Sequence, residues 1–438
     1  MSPGFVVLIL VLSMLLLFLT GRQIAFIMGG IAVSAATLLW GTSGGIDMGY
    51  FATYSFLGWY VLIAVPMFIF MGIILARSGI ADALYDAIYK WAGPVRGGLA
   101  MGTIGICALM AAMVGQSTSA TVSMGLIALP SMLKRNYDKR MVTGAIQAGG
   151  ALGFLIPPSL VFIVYGFIAR VSIGHLWVAG IVPGILLAVL YVIYIGTRSY
   201  LQPQLGPPIP VEDRASWREK FIALRSALLP LALIFLVLGL LFMGVTSLIE
   251  ASGVGALGAL VLALIKRNLT WKFLADALDE TLRVTSFVLL IVVAALLFSA
   301  VFDGLGAVHV VRDAVSGVGG KWAVLIAMQL SWIILGMVLD DTAMLIIVAP
   351  VYIPLAASYG FDLVWFGVLY VINCQMAYLT PPFGYNLFIM KSVAPKEVTL
   401  SDIYRSVLPF VGIQFLVLVL VMIFPEIALW LPSVIFAR

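Results

Sequence analysis

Long stretches with almost no charge follow one another along this chain, separated by short polar punctuation. A hydrocarbon core about 30 Å thick needs about 20 helical residues, so apolar runs near that length read as membrane-spanning helices. The pattern predicts them at 5–20, 24–40, 57–76, 141–168, 176–197, 227–246, 248–265, 284–302, 363–390 and 403–424. Two uncharged blocks are longer, 97–133 and 322–361, the second interrupted only by Asp340 and Asp341. Each is long enough to enter and leave on one side, either as two full spans or as a re-entrant hairpin. The one long polar insert, 198–226, divides the chain into two halves. The first run lacks a basic start and passes through Gly21-Arg22-Gln23 into the second, so it reads as a retained helix and not as a signal peptide.

Composition agrees with a lipid solvent. Of the 438 residues, 63% are hydrophobic and 10% charged, where soluble chains carry about 45–50% apolar and about 25% charged residues. A soluble enzyme, a disordered chain and a fibre are excluded. The formal net charge of +5 has a topological meaning. With both long blocks returning to the side they enter, 20 of the 24 Lys and Arg collect on one side, leaving Arg170, Arg312, Lys321 and Arg438 on the other. The positive-inside rule makes the first side cytoplasmic and turns both termini outward. The basic balance is therefore no nucleic-acid patch, and no nucleic-acid partner is expected. Cys107 and Cys374 lie inside apolar runs and imply no disulfide framework.

Five predicted helices separate the two long blocks, so the blocks enter the membrane from opposite sides. At a constant offset of 224, Met113 matches Met337, Thr118 matches Thr342, Asp138 matches Asp362, and Pro130, Pro157 and Pro158 match Pro354, Pro381 and Pro382. Twenty prolines in this length predict roughly 0.1 such matches in a 50-residue window by chance. The halves read as an inverted repeat. Inverted repeats with interrupted helices point to a secondary transporter whose site lies near the membrane midplane.

The interruptions are visible. Three glycines, Gly149, Gly150 and Gly153, precede Pro157-Pro158-Ser159, and Asn373 to Asn386 carries Thr380-Pro381-Pro382 and Gly384. Proline removes a backbone donor and clashes with the preceding turn. Carbonyls freed in this way must meet protein, water or an ion, because lipid cannot satisfy them. One such proline would read as a tolerated kink; the matched pairs argue for functional breaks. Their partners are the middles of the long blocks. Gly115-Gln116-Ser117-Thr118-Ser119 is small, hydroxyl-rich and uncharged, which suits oxygen ligation of a hard monovalent cation, and a half-helix start beside it favours an anion. The other middle is Asp340-Asp341-Thr342-Ala343. Both would also serve as ordinary turns between full spans.

Three motifs together carry a resemblance. Gly-x-x-Gly-Phe-Leu-Ile-Pro-Pro-Ser…Tyr-Gly (150–166), Asp-Asp-Thr-Ala…Pro-Val-Tyr-Ile-Pro…Gly-Phe-Asp (340–362) and Asn-x-x-x-Ala-x-Leu-Thr-Pro-Pro-Phe-Gly-Tyr-Asn-Leu-Phe (373–388) resemble the large membrane subunit of the TRAP transporters, the tripartite ATP-independent periplasmic family. The resemblance spans essentially the whole chain. It implies an all-α polytopic membrane protein: an inverted-repeat, elevator-type, sodium-driven importer of a small organic anion in the bacterial inner membrane, with two re-entrant helical hairpins and two broken helices. It implies two partners as well, a small four-helix membrane subunit and a periplasmic substrate-binding protein. No cofactor is expected beyond sodium as the coupling ion.

On this resemblance the hairpin tips and breaks form the sites. Substrate contacts are expected from Gln116, Ser117, Ser159, Asp340, Asp341, Asn373 and Asn386. Sodium ligands are expected from Gly115, Thr118, Ser119, Gly150 and Gly153 in one half and Thr342, Ala377 and Thr380 in the other. Pro157, Pro158, Pro381 and Pro382 break the helices. The expected organisation is scaffold helices at 1–96 and 227–302, transport repeats at 97–197 (hairpin 97–133, broken helix 141–168) and 303–438 (hairpin 322–361, broken helix 363–390), and a cytoplasmic loop at 198–226. Rival readings are a stand-alone or proton-coupled carrier and, more remotely, a channel; an intramembrane enzyme finds no nucleophile–base pair in the apolar segments. Ser247 and Glu250 read as a capping box. Trp40, Trp59, Trp91, Trp177 and Trp430 read as interfacial anchors.

Overall fold

The computed structural model describes residues 3–18, 20, 22–115, 117–315, 319–337, 339, 341–382 and 384–436, and contains no strand among them. The first half holds α1 (Pro3–Phe18), α2 (Ile24–Leu57), α3 (Ala64–Arg77), α4 (Ile80–Ala92), α5 (Gly98–Val114), α6 (Ser117–Leu133), α7 (Lys139–Ala151), α8 (Leu160–Ala169) and α9 (Ile173–Leu201). The second holds α10 (Trp217–Phe242), α11 (Leu248–Ile265), α12 (Trp271–Gly304), α13 (Ala307–Val315), α14 (Lys321–Gly336), α15 (Asp341–Ser358), α16 (Leu363–Leu379), α17 (Tyr385–Val393), α18 (Leu400–Ile423) and α19 (Glu426–Ile435). Seven helices among the described residues are long and apolar enough to cross a membrane, or eight if the bent α10 is one span.

The repeat extends further than the proline matches indicate. Ile24 and Leu248, Ser117 and Asp341, and Lys139 and Leu363 each open a helix 224 residues apart. Asp138 and Asp362 cap the last pair, accepting from Met141 N at 2.8 Å and from Val364 N at 2.8 Å. Packing follows the same symmetry. The α2 helix lies on α12 as α11 lies on α3; α10 lies on α4 as α1 lies on α13; α18 lies on α7 as α9 lies on α16.

Two expected spans are longer than their apolar runs. The run ending at Trp40 stops where the α2 backbone leaves helical geometry, at Gly41 (φ 78°, ψ 169°). The run beginning at Val284 is the apolar part of α12, whose polar first turns carry Asp276 and Glu280 to Arg77 on α3. Hydropathy marks the lipid-facing length of a helix and not its ends.

The broken helices occupy the interior. Every residue from Trp365 to Leu379 is buried, as are nine of the ten residues of α8. Apart from the buried amides Asn373 and Gln375 of α16, these helices are apolar all round, as interior helices are. By contrast α9 exposes Ile185, Val189 and Ile193 in an i, i+4, i+8 stripe, the face a lipid-contacting helix presents. Ser247 and Glu250 form the expected capping box. Trp177 is not at an interface: it is fully buried, edge-on to Phe68, and donates to the Ser159 carbonyl at 3.3 Å.

Candidate functional site

The first break follows α7 through a tight turn at Leu152–Phe154 and resumes as α8, with Ser159 capping Phe162 N at 3.4 Å. The second runs from Thr380 to Gly384 before α17. The Pro157–Pro158 and Pro381–Pro382 bonds are both cis. Protein groups take up carbonyls the breaks release. Gln375 Nε2 donates to the Ala151 carbonyl at 2.7 Å, and Tyr404 donates to the Pro382 carbonyl at 2.8 Å. The Thr380 hydroxyl bonds its own helix at Met376, 2.6 Å away.

Hairpin α5–α6 closes at Gly115, whose φ of 67° favours glycine. A methyl group there would lie 2.4 Å from the Pro158 carbonyl oxygen. A methyl on Gly150 would lie 2.2 Å from Thr121 Oγ1. The first tip is thus seated directly on the first broken helix. It also reaches the second: Asn386 Nδ2, fully buried, donates to Ser117 Oγ at 2.7 Å. Hairpin α14–α15 seats on α16 in a similar way, a methyl on Gly336 falling 2.5 Å from Ala377 Cβ. At its tip, Tyr378 donates to the Asp341 carboxylate and Tyr370 to the Asp341 carbonyl.

These elements enclose a cavity of about 240 Å³. Gly115, Ser117 and Thr118 line it from the first tip, and Asp341 and Thr342 from the second. Phe154, Leu160, Tyr378 and Tyr385 come from the two breaks, and Val284, Phe287 and Val288 from α12. Four of these residues, Ser117, Leu160, Asp341 and Tyr385, are the first residues of α6, α8, α15 and α17. Each helix start carries about half a positive charge. Four helix starts and the Asp341 carboxylate thus face one cavity.

Other expected site residues lie outside the lining. Gly150 and Gly153 are buried in the first broken helix; Ser119 lies on α6 beyond the lining residues; Ala377 is packed on Gly336. Asn373 sits deeper, donating to Gln329 Oε1 on α14 at 2.6 Å and to the Leu369 carbonyl at 2.9 Å. Gln116 and Asp340 fall outside the described residues. Sequence reasoning overlooked Phe154, Tyr378 and Tyr385, whose rings meet in series, edge-on at 4.7 Å and tilted at 5.5 Å between centroids. They sit inside the quoted motifs, where prolines and amides drew notice first. The α12 contribution leaves no sequence signal, since Val284, Phe287 and Val288 resemble any membrane-helix residues.

Sequence comparisons with known proteins agree on one family. The family described as "Tripartite ATP-independent periplasmic transporter, DctM component" matches residues 11–427. The C4-dicarboxylate TRAP transporter large permease protein of Pseudomonas aeruginosa is 31% identical over 378 residues, covering 85% of this chain and 86% of the relative. The ectoine/5-hydroxyectoine TRAP transporter large permease protein of Ruegeria pomeroyi is 32% identical over 382 residues, covering 86% and 87%. Among solved structures, the crystal structure of the Alcanivorax borkumensis YdaH transporter matches with a TM-score of 0.61 at 14% identity over 98% of both chains, a likeness of fold. With the family match spanning nearly its whole length, this chain belongs to the DctM component family of tripartite ATP-independent periplasmic transporters.

Proposed function

We propose that this chain is the large membrane subunit of a sodium-coupled importer that accepts a small organic anion from a periplasmic binding protein and carries it across the inner membrane. The observation that carries this reading is the convergence of four helix starts and one carboxylate on a cavity of about 240 Å³. Helix starts favour the anion; Asp341, Thr342 and the hydroxyl of Thr118 offer oxygens to sodium. Relatives named for C4-dicarboxylate and for ectoine make a small organic acid or zwitterion the expected cargo class.

The motion is an elevator. The cavity lies between the hairpin and broken-helix assembly and α12, the position a sliding interface requires. The α5 and α6 arms are 17 residues each, about 25 Å, which suits re-entrant hairpins that stop short of the far surface. The moving body is 97–197 with 321–438, and the frame is 1–96 with 227–302. The α13 helix joins the frame by its equivalence to α4, packing on α1 and α12 as well as on α15. A small four-helix subunit widens the frame's hold on the bilayer.

The test is uptake in liposomes holding this chain and its small subunit, supplied with loaded binding protein, under a sodium gradient without ATP. We expect uptake only when all three proteins are present. Equal uptake under a proton gradient in sodium-free buffer would overturn sodium coupling and make Asp341 a proton carrier. Robust uptake by the isolated chain would overturn the tripartite assignment.

A further inference from the structure

At the end of α7 opposite the cavity lies a second, smaller cleft of about 100 Å³, with Asp138, Arg140, Arg198 and Arg405 on its walls and Tyr194 and Phe410 below them. The three arginines come from three helices, α7, α9 and α18. The carboxylates nearby are already engaged. Asp138 caps α7 through Met141 N at 2.8 Å, and Asp402 takes Lys139 Nζ at 2.6 Å and Arg140 Nε at 3.2 Å. Arg198 donates to Tyr194 OH at 2.6 Å, and the Tyr194 ring meets Phe410 at 5.3 Å, which gives the cleft an ordered aromatic floor. Arg405 has no hydrogen-bond or ion-pair partner among the described residues.

Arg140 is already paired with Asp402, but Arg198 and Arg405 have no carboxylate partner among the described residues, and their like charges in one concavity favour an added anion. A cleft of about 100 Å³ is smaller than the roughly 300–1,000 Å³ that encloses a whole small molecule. It takes one anionic group and leaves the rest of the ligand outside. Guanidinium forks suit a group presenting several oxygens and a charge near −2, as a phosphate monoester does. The geometry points to a phosphate-binding site in which Arg140, Arg198 and Arg405 hold a phosphomonoester group, separate from the transport cavity and independent of its cargo. The group arrives either on a lipid headgroup from the adjoining leaflet or as free phosphate.

The test uses the full-length chain in neutral detergent, titrated separately with short-chain phosphatidic acid, short-chain diacylglycerol and inorganic phosphate, and read by thermal unfolding and native mass spectrometry. Phosphatidic acid should bind and raise the unfolding temperature, while diacylglycerol should not. Phosphatidic acid without phosphate identifies the lipid as the source; a matching response to inorganic phosphate identifies the free anion. R198Q/R405Q should weaken binding at least tenfold, and R218Q, an exposed arginine elsewhere, should leave it unchanged. Should the double variant fold poorly, R405Q alone serves, since that side chain is exposed and should weaken binding about threefold or more. Unchanged binding in R405Q, or no response of the unaltered chain to either phosphate compound, would overturn the site.

Discussion

Ser117 and Asp341 stand at equivalent helix starts, 224 residues apart, and bring different chemistry to them, one neutral and one charged. The first tip is neutral and held by close packing: Gly115 lies against Pro158, Gly150 against Thr121, and Ser117 accepts from a buried amide. The first break is equally enclosed, with Leu155 and Ser159 fully buried and a methyl on Gly180 of α9 falling 2.4 Å from the Leu155 carbonyl oxygen. The second tip carries a charge, tethered by the hydroxyls of Tyr370 and Tyr378. Its break is more open, with Pro382 exposed and its carbonyl tied to Tyr404. One backbone plan therefore supports a neutral tip and a charged tip, each packed on its broken helix and each hydrogen-bonded. Under the proposed function, which asks one site for an anion and a cation, such divergence avoids two like sites.

The largest effect that would break the comparison is all-or-none. Asn136 and Gly360 are equivalent loop residues, both at positive φ, and an inverted repeat places them on opposite sides of the membrane. Cysteine at Asn136 should be shielded from an impermeant thiol reagent in whole cells, and cysteine at Gly360 should react. Labelling of both from outside would remove the inversion.

Next in size is G115A. A left-handed backbone disfavours a non-glycine residue by roughly 1–2 kcal/mol, and the overlap with Pro158 adds to it, so uptake should fall by about 100-fold, at about 1.4 kcal/mol per tenfold change. The equivalent change, L339A, should reduce uptake less than about threefold. Similar losses from both would show that the two tips are constrained alike.

D341N comes third. Hydrogen bonds to charged groups contribute about 1.5–3 kcal/mol, so half-saturation of uptake by sodium should move up by about tenfold or more, with expression unchanged. S117A should leave sodium activation nearly unaltered and lower thermal stability, because a buried unpaired amide on Asn386 costs about 1–3 kcal/mol. A sodium shift in S117A matching that of D341N would erase the contrast between the halves. The smallest effect belongs to Y378F, which keeps the ring and loses one hydroxyl bond to the Asp341 carboxylate; about 1.5 kcal/mol, the low end for a charged group, predicts a shift in sodium activation of no more than about tenfold.

Much of the architecture is legible in the chain because each signal is local. Lipid demands continuous apolar runs, so the helices of the frame stand out, and their run ends falter only where polar turns extend a helix, as at the start of α12. Proline cannot donate, so both breaks are visible, and their equal spacing exposes the repeat. The hydroxyl-rich stretch after Gly115 and the Asp341 tip are legible for the same reason: polar groups in an apolar block require a use.

Contacts across the chain follow another logic. Ser159 and Thr380 look like ligands in sequence, yet their hydroxyls bond their own helices. Trp177 has the composition of an interfacial anchor and serves as a buried donor to the first break. Gln375, an unremarkable amide in sequence, joins the two broken helices through Ala151. The sequence by itself determined a membrane-embedded, twice-repeated, twice-interrupted helical protein, because hydrophobic burial and backbone hydrogen bonding act residue by residue. Tertiary structure alone decided that four helix starts meet at one cavity, that α12 closes it and that the Asp341 tip is tethered by two tyrosines. Those properties depend on the direction and separation of elements hundreds of residues apart, which periodicity and composition do not encode.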